Sequence, residues 1–418
     1  MQKQNCHRRP VKERTEGVDP VGMRRSASFR VLALVLACAA TWTCGQGLAA
    51  TSTSGTAATV GAPSVATTVV ARPQRADLRP LGWRRQSSTG LGLFEDLQYL
   101  TGAALAQRLD AYAATGVTWA RFQLIWGAVQ RGGPSSYDWG PYDALVSGLV
   151  SRGIKPLAVL TTTPAWARSR GCVVLTCAPA TAASYAAFAA TAAHRFAGRV
   201  AALELWNEPN SDLFFKPSPD PVRYAALVKA AYPAVKAAAP AMTVVTGGLA
   251  PAVSVRKTGG WVTIAPLSFL AGVYARGAAG SFDAVGWHPY CFPAMPGTAD
   301  PGSAWYQMYG PATSVRSLMQ AWGDGAKLIW ATEMGAHTDR VRAGALTEQG
   351  QADTIRRAAA LWAGYAWAGP LVVYQLKDRG TDPRSRENFF GLTRFDGTPK
   401  PAYAAFVTAV GRARVRLR

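Results

Sequence analysis

From residue 101 onward, the apolar positions of this chain switch repeatedly between two spacings. Stretches with apolar residues three and four apart, the mark of one helix face, cover 105–114, 142–150, 184–196, 221–239, 268–275, 315–322, 347–367 and 402–410. Between them lie short apolar runs at 117–125, 155–160, 200–206, 243–247, 282–288, 327–332 and 371–375, with an earlier one near 91–93. Runs of that kind, not interrupted by regular polar alternation, predict strands buried on both faces, as in a parallel sheet. About eight strands, each followed by a helix, predict an α/β fold, a (β/α)8 TIM barrel, rather than an open doubly wound sheet. No Gly-x-Gly-x-x-Gly follows the first strand and no phosphate loop occurs, which disfavours nucleotide-dependent chemistry.

The pattern fades toward both ends. Met23-Arg24-Arg25 through Arg30 is a basic segment, Val31 to Ala40 is an apolar run, and Gly47-Leu48-Ala49-Ala50 offers a small-residue cleavage site. This is the order of a secretory signal peptide, too short for a membrane span of about 20 residues. Val35-Leu36-Ala37-Cys38 is an imperfect lipobox, which sets a lipid anchor at Cys38 beside simple cleavage. Residues 51–77 are rich in Thr, Ser and Ala with little to bury, and read as a flexible linker. A single barrel domain is expected over 78–410, and a basic solvated tail over 411–418.

The charge changes the picture less than its size suggests. The chain has 45 Lys and Arg against 24 Asp and Glu, a formal net charge of +21. Residues 1–50 carry eight basic and three acidic groups, so an excess of sixteen stays with the rest. There is no basic helix face and no nucleic-acid motif, and an exported chain meets no genome, so a nucleic-acid partner is not expected. The charge instead favours an anionic surface, with peripheral association at the cell envelope, or an acidic polysaccharide.

In a barrel, chemistry gathers at the carboxyl ends of the strands. Arg121 and then Trp126 close the second strand, and Thr163-Pro164-Ala165-Trp166 the third. The fourth runs Glu204-Leu205-Trp206-Asn207-Glu208-Pro209-Asn210, the sixth Gly286-Trp287-His288-Pro289-Tyr290, and the seventh Trp330-Ala331-Thr332-Glu333-Met334-Gly335. Acidic residues are scarce, so Glu208 and Glu333 at two strand ends are informative. Hydrolysis of a glycosidic bond needs such a pair, one carboxyl to protonate the leaving oxygen and one to attack or to activate water. Glu204, two strand periods before Glu208, should also face inward, as a buried carboxylate paired with an arginine.

Those residues resemble clan A of the glycoside hydrolases, family thirty-nine above all, with family five as neighbour. The closing Phe389-Phe390-Gly391-Leu392 and Asp396-Gly397-Thr398-Pro399-Lys400-Pro401-Ala402-Tyr403 are similar to the end of such barrels. The resemblance covers roughly residues 90–410. It implies a retaining enzyme for β-glycosidic bonds with Glu208 as general acid/base and Glu333 as nucleophile, without metal or cofactor. It implies that Asn207 bonds the sugar 2-hydroxyl, that Arg121 keeps the nucleophile ionised, that Tyr290 donates to it and that His288 lines the subsite. The eighth strand departs from the clan: where a Trp often underlies the reacting sugar, this chain reads Tyr374-Gln375-Leu376-Lys377.

Plainer roles compete for several of these residues. Arg121 has Glu204 as an alternative partner, and His288 and His337 divide between subsite and loop packing. Trp126, Trp166, Trp287 and Trp305 are candidate sugar platforms, whereas Trp322, Trp362 and Trp367 fall on predicted helices and read as packing. Phe214 and Phe215 divide between an outer subsite and a loop anchor. Cys172 and Cys177 lie close in a loop flanked by Gly and Pro, and in an exported chain are expected to form a disulfide, with Cys291 a buried thiol. No His/Cys cluster accompanies them, so no metal is expected. A glycan-binding barrel without catalysis is the rival to the enzyme.

Overall fold

The structure, a computed structural model, describes residues 90–417 except 340 and 343. The leader, the lipobox, the linker and the first residues assigned to the barrel lie outside the described residues. The strands are β1 (Leu91–Phe94), β2 (Trp119–Ile125), β3 (Lys155–Thr161), β4 (Ala202–Leu205), β5 (Thr243–Thr246), β6 (Val255–Lys257), β7 (Gly260–Thr263), β8 (Ala284–Trp287), β9 (Leu328–Met334) and β10 (Ala368–Tyr374). The α-helices are α1 (Gly102–Thr115), α2 (Trp126–Val129), α3 (Gly140–Val150), α4 (Ala182–Arg195), α5 (Pro221–Ala238), α6 (Pro266–Ala275), α7 (Val315–Ala321), α8 (Glu348–Trp362) and α9 (Pro401–Leu417).

Eight strands close into a parallel barrel in the order β1-β10-β9-β8-β5-β4-β3-β2. The fold is a (β/α)8 barrel. Its sixth, seventh and eighth strands are β8, β9 and β10, because β6 and β7 form a separate antiparallel hairpin after β5. That hairpin was not foreseen: its strands are three and four residues long and turn at Gly259 and Gly260, both at positive φ. It is attached to the segment after β4, where the Asp212 amide donates to Val262 and the Asn210 amide group donates to the carbonyls of Ala250 and Ile264.

Strand alternation sorts the side chains into an outer core and a barrel interior. Ala120, Phe122 and Leu124 of β2 and Leu203 and Leu205 of β4 face the helices. Trp119, Leu157, Ala202, Val245, Ala284 and Trp330 face inward and fill the amino-terminal end. One pleat further on, the interior becomes polar with Arg121, Glu204 and Thr332, all fully buried.

Helix starts follow ordinary capping chemistry. Asp220 accepts from the Val222 and Arg223 amides ahead of Pro221, and Thr181 accepts from the Ser184 amide. Two helices depart from expectation. The periodic stretch 347–367 ends its helix at Trp362, and after Gly364 the rings of Tyr365 and Trp367 stack 4.5 Å apart before β10 begins. The last helix continues to Leu417, through residues read as a tail. Among the described residues, no helix is long and apolar enough to cross a membrane.

Candidate active site

The carboxyl ends of β2, β4, β8 and β9 converge on one buried polar cluster. Arg121 is its centre: Nε donates to Glu204 Oε2 at 2.7 Å, one terminal nitrogen to Glu333 Oε1, and the other to Asn207 Oδ1 at 2.8 Å. Glu204 is held on its second oxygen by the Gly248 amide at 2.8 Å and the Thr332 hydroxyl at 2.9 Å. Tyr290 donates to Glu333 Oε2 at 3.1 Å, and His288 Nδ1 lies 2.9 Å from Glu208 Oε1. Ligand atoms of Glu208, His288 and Glu333 all fall within 4.8 Å of one another.

Two irregularities in the backbone bring these groups together. On β9, Ala331 pairs with Leu371 and Met334 with Val373, so three steps on one strand oppose two on its neighbour. A bulge of this kind interrupts the alternation, and Thr332 and Glu333, adjacent in sequence, both reach the interior. After β4, Trp206 and Glu208 stand at φ 81° and 44°, a left-handed conformation that costs about 1–3 kcal/mol for a side chain other than glycine. The turn is held by the Glu208 amide donating to Gly248 at 3.0 Å and by the Trp206 indole donating to Phe214. Gly248 has no room for a side chain, since a Cβ there would stand 2.2 Å from His288 Nε2.

Burial dominates the electrostatics. Burial alone would lower the pKa of Arg121, but Glu204 and Glu333 outweigh it and hold the guanidinium charged. Burial raises both Glu208 and Glu333 above the usual carboxylate range. Against that, Glu333 has Arg121 and the Tyr290 hydroxyl, whereas Glu208 has chiefly His288. The fixed charge of Arg121, bonded to Glu333, favours the ionised form of that carboxylate, whereas Glu208 has no guanidinium bonded to it. Tyr290 is pushed well up by burial and by Glu333, and stays a donor. Glu208, His288 and Glu333 are spaced as metal ligands could be, but the Arg121 guanidinium already supplies the positive charge bonded to Glu333.

No protein-family model and no curated protein sequence matches the chain. Solved structures do. The chain is similar to a family 39 glycoside hydrolase from Bacteroides cellulosilyticus WH2, with 25% identity, TM-score 0.59, and 77% of this chain covering 63% of that one. It is also similar to the family 39 enzyme of Xanthomonas axonopodis pv. citri (20% identity, TM-score 0.55, 77% of this chain and 65% of that one). A third is a monomeric β-xylosidase from Caulobacter crescentus CB15 (20%, TM-score 0.54, 77% and 67%). The barrel shares its fold with these glycoside hydrolases. The chain spans about two thirds of the length of these relatives.

Within that barrel, the residues singled out in the sequence divide cleanly. Glu208, Glu333, Asn207, Arg121, His288 and Tyr290 form one connected group. The tryptophans mostly do not join it. Trp126 is fully buried, stacked on Phe188 at 5.3 Å with its indole on Gln130, and Trp287 is fully buried with its indole on the Ala304 carbonyl. Trp305 is equally buried against Trp362. None of the three can offer a face to a sugar. Trp166 can: it is 40% exposed, steadied by an indole bond to the Gln130 carbonyl and by edge contact with Trp126. Phe215 is a buried loop anchor beside Trp206, and His337 packs on Phe292 and Phe390, where burial holds its pKa down at about 4. Cys172 and Cys177 are joined in a disulfide, and Cys291 is buried.

Sequence reasoning missed Gly248 and Thr332, which fix Glu204 and through it Arg121. It also missed a charged wall between the ends of β1 and β10. Arg379 pairs there with Asp96 and bonds Gln375, and the Tyr374 hydroxyl donates to Glu387 at 3.0 Å. Buried charges need partners, but Asp96 beside Glu95 and Arg379 beside Asp378 carried no local sign of each other.

Proposed function

We propose that this protein is a secreted retaining glycoside hydrolase that cleaves β-glycosidic bonds by double displacement. The observation that supports it most is the pair Glu208 and Glu333, with an oxygen of each within 4.8 Å and a guanidinium bonded to only one of them. Oxygens this close are nearer the separation of a retaining pair, about 5–5.5 Å, than that of an inverting one, about 6.5–9.5 Å, which supports direct attack by one carboxylate. Glu333, ionised beside Arg121, attacks the anomeric carbon. Glu208 gives its proton to the glycosidic oxygen as that carbon–oxygen bond breaks, and the sugar is left as an ester on Glu333. Glu208, now a carboxylate, takes a proton from water, whose oxygen displaces Glu333 and restores the configuration.

The solved relatives include the Caulobacter β-xylosidase and an exo-β-1,4-mannosidase from an Opitutaceae bacterium, which agrees with a β-linked carbohydrate substrate. The leader pattern supports export, and the Cys172–Cys177 disulfide suits an oxidising compartment. The amide oxygen of Asn207 accepts from Arg121, which supports a role for its amide nitrogen as donor to a sugar hydroxyl.

Glu333→Ala should lose at least about ten-thousandfold in turnover of aryl β-glycosides. Azide should restore part of it by entering the vacated space, giving a glycosyl azide. A variant with undiminished rate, or with a large loss and no azide product, removes Glu333 from the nucleophile's place.

A further inference from the structure

The wall that stands where the clan often has an indole has a chemistry of its own. Tyr374 ends β10 with its ring 5.5 Å from Phe94, and Phe94 lies under the Arg121 guanidinium at 4.6 Å. Tyr374 and Tyr290 pack on the same Phe390 ring, at 5.3 and 6.1 Å. One of these tyrosines donates to Glu387 and the other to Glu333, so the two carboxylates hang from neighbouring hydroxyls over one aromatic floor. Arg379 lies over the Tyr374 ring at 5.4 Å and carries Asp96 to the same wall, where Gln123 reaches it from β2.

Among the described residues, each guanidinium beside the carboxylate pair is engaged. Arg121 is shared by Glu204, Glu333 and Asn207, Arg379 by Asp96 and Gln375, and Arg386 stands 3.7 Å from Glu387 over the Phe292 ring. Lys377 turns outward onto Phe395, itself half exposed. A sugar carboxylate entering here would meet Glu333, Glu387 and Asp96 with no uncommitted cation on this wall among the described residues, and in a poorly solvated cleft like charges repel strongly. The same carboxylates are good acceptors for hydroxyl groups, whose bonds to an ionised oxygen are about twice as strong as neutral ones.

We infer that the reacting-sugar position takes a neutral, hydroxyl-bearing sugar and rejects uronic acids, with Glu387 and Asp96 as the residues that set this choice. The inference rests on the glycosidase reading and deepens it. Away from this wall, Lys155 and Arg199 line a cavity of about 690 Å³ at the opposite, amino-terminal end of the barrel.

The experiment compares hydrolysis of 4-nitrophenyl β-xyloside, β-glucoside, β-galactoside and β-mannoside with that of the β-glucuronide, in wild type and in Glu387→Gln. At least one neutral glycoside should exceed the glucuronide a hundredfold in kcat/KM. Glu387→Gln should lose rate on the neutral substrate and shift the ratio at least tenfold toward the glucuronide. A purely structural role would lower both rates together and leave the ratio unmoved. Asp96→Asn should shift it in the same direction, so the choice can be read even where one variant folds poorly. Glucuronide turned over as well as the neutral glycosides by the wild type, or a ratio unchanged in both variants, overturns the inference. Failure of 2-fluoro neutral and uronic glycosides alike to label Glu333, with no turnover of any glycoside, instead overturns the glycosidase reading on which it stands.

Discussion

The two ends of the barrel are built on the same strands, one pleat apart, and differ in nearly everything else. Trp119, Ala202 and Trp330 face the interior at the amino-terminal end, where Trp119 and Trp330 meet edge to face at 5.1 Å. Two residues further along each strand the same direction is taken by Arg121, Glu204 and Thr332. The lower layer is an apolar plug that excludes water. The upper layer is a set of charges that burial would make costly if they were not paired. The difference shows how one strand can serve both ends: the plug keeps the surroundings of Arg121 poorly solvated, and that condition makes its hold on Glu333 strong.

Removing the central cation should have the largest effect on this contrast. Arg121→Met leaves Glu204 and Glu333 buried without their partner, which should cost about 3–5 kcal/mol of stability. It should also lower kcat roughly a hundred- to thousandfold, since the nucleophile loses the charge that keeps it ionised. Denaturation and kinetics measured on one preparation check both. A stable variant with unaltered kcat would mean that Arg121 merely packs. At the other end, Leu157→Ala should open a cavity in the plug and cost about 2–5 kcal/mol while leaving kcat/KM within a few-fold of wild type below the melting transition. Equal damage to stability and to catalysis there would erase the division between the two ends.

Much of this was legible in the sequence, and the exceptions have identifiable causes. Buried parallel strands announce themselves as apolar runs, and the expected starts of β3 and β5 coincide with the observed ones. Parity counted back from Glu208 places Glu204 inward, where it lies, although β4 ends at Leu205 and the chain turns left-handed at Trp206 and Glu208. Glu333 could not be placed by parity, because the bulge on β9 breaks the alternation that would have turned it away from Thr332. Parity also exposes the error over Trp287: with His288 facing inward, its neighbour on the strand must face the helices. Trp126 fails for a different reason, as the chain enters α2 there and swings the indole under the rim onto Phe188. The Asp96–Arg379 pair spans 283 residues and closes the barrel between its first and last strands, a distance no local pattern reports. The clan resemblance pointed to residues that the fold brings into one bonded group, and was silent on the partners that make up the wall of Tyr374 and Gln375.

The smallest expected effect is also the most specific to the chemistry. Tyr290 gives Glu333 a single hydrogen bond of 3.1 Å, and its ring is held by Phe292 and Phe390, so Tyr290→Phe changes one oxygen and little packing. Burial raises the Glu333 pKa, and the hydrogen bonds from Arg121 and Tyr290 act against that rise. Losing one of them removes a preference for the ionised carboxylate, so the pKa should move further up. Glu333 must be ionised to attack, so the acidic limb of the kcat/KM profile should shift to higher pH. The alkaline limb, set by the proton on Glu208, should stay in place because Tyr290 is not bonded to that residue. The pH window should therefore narrow from its acid side, with a loss of roughly tenfold at the optimum if the bond contributes about 1.4 kcal/mol to the attacking state. A profile that moves on its alkaline side instead would exchange the roles of the two glutamates.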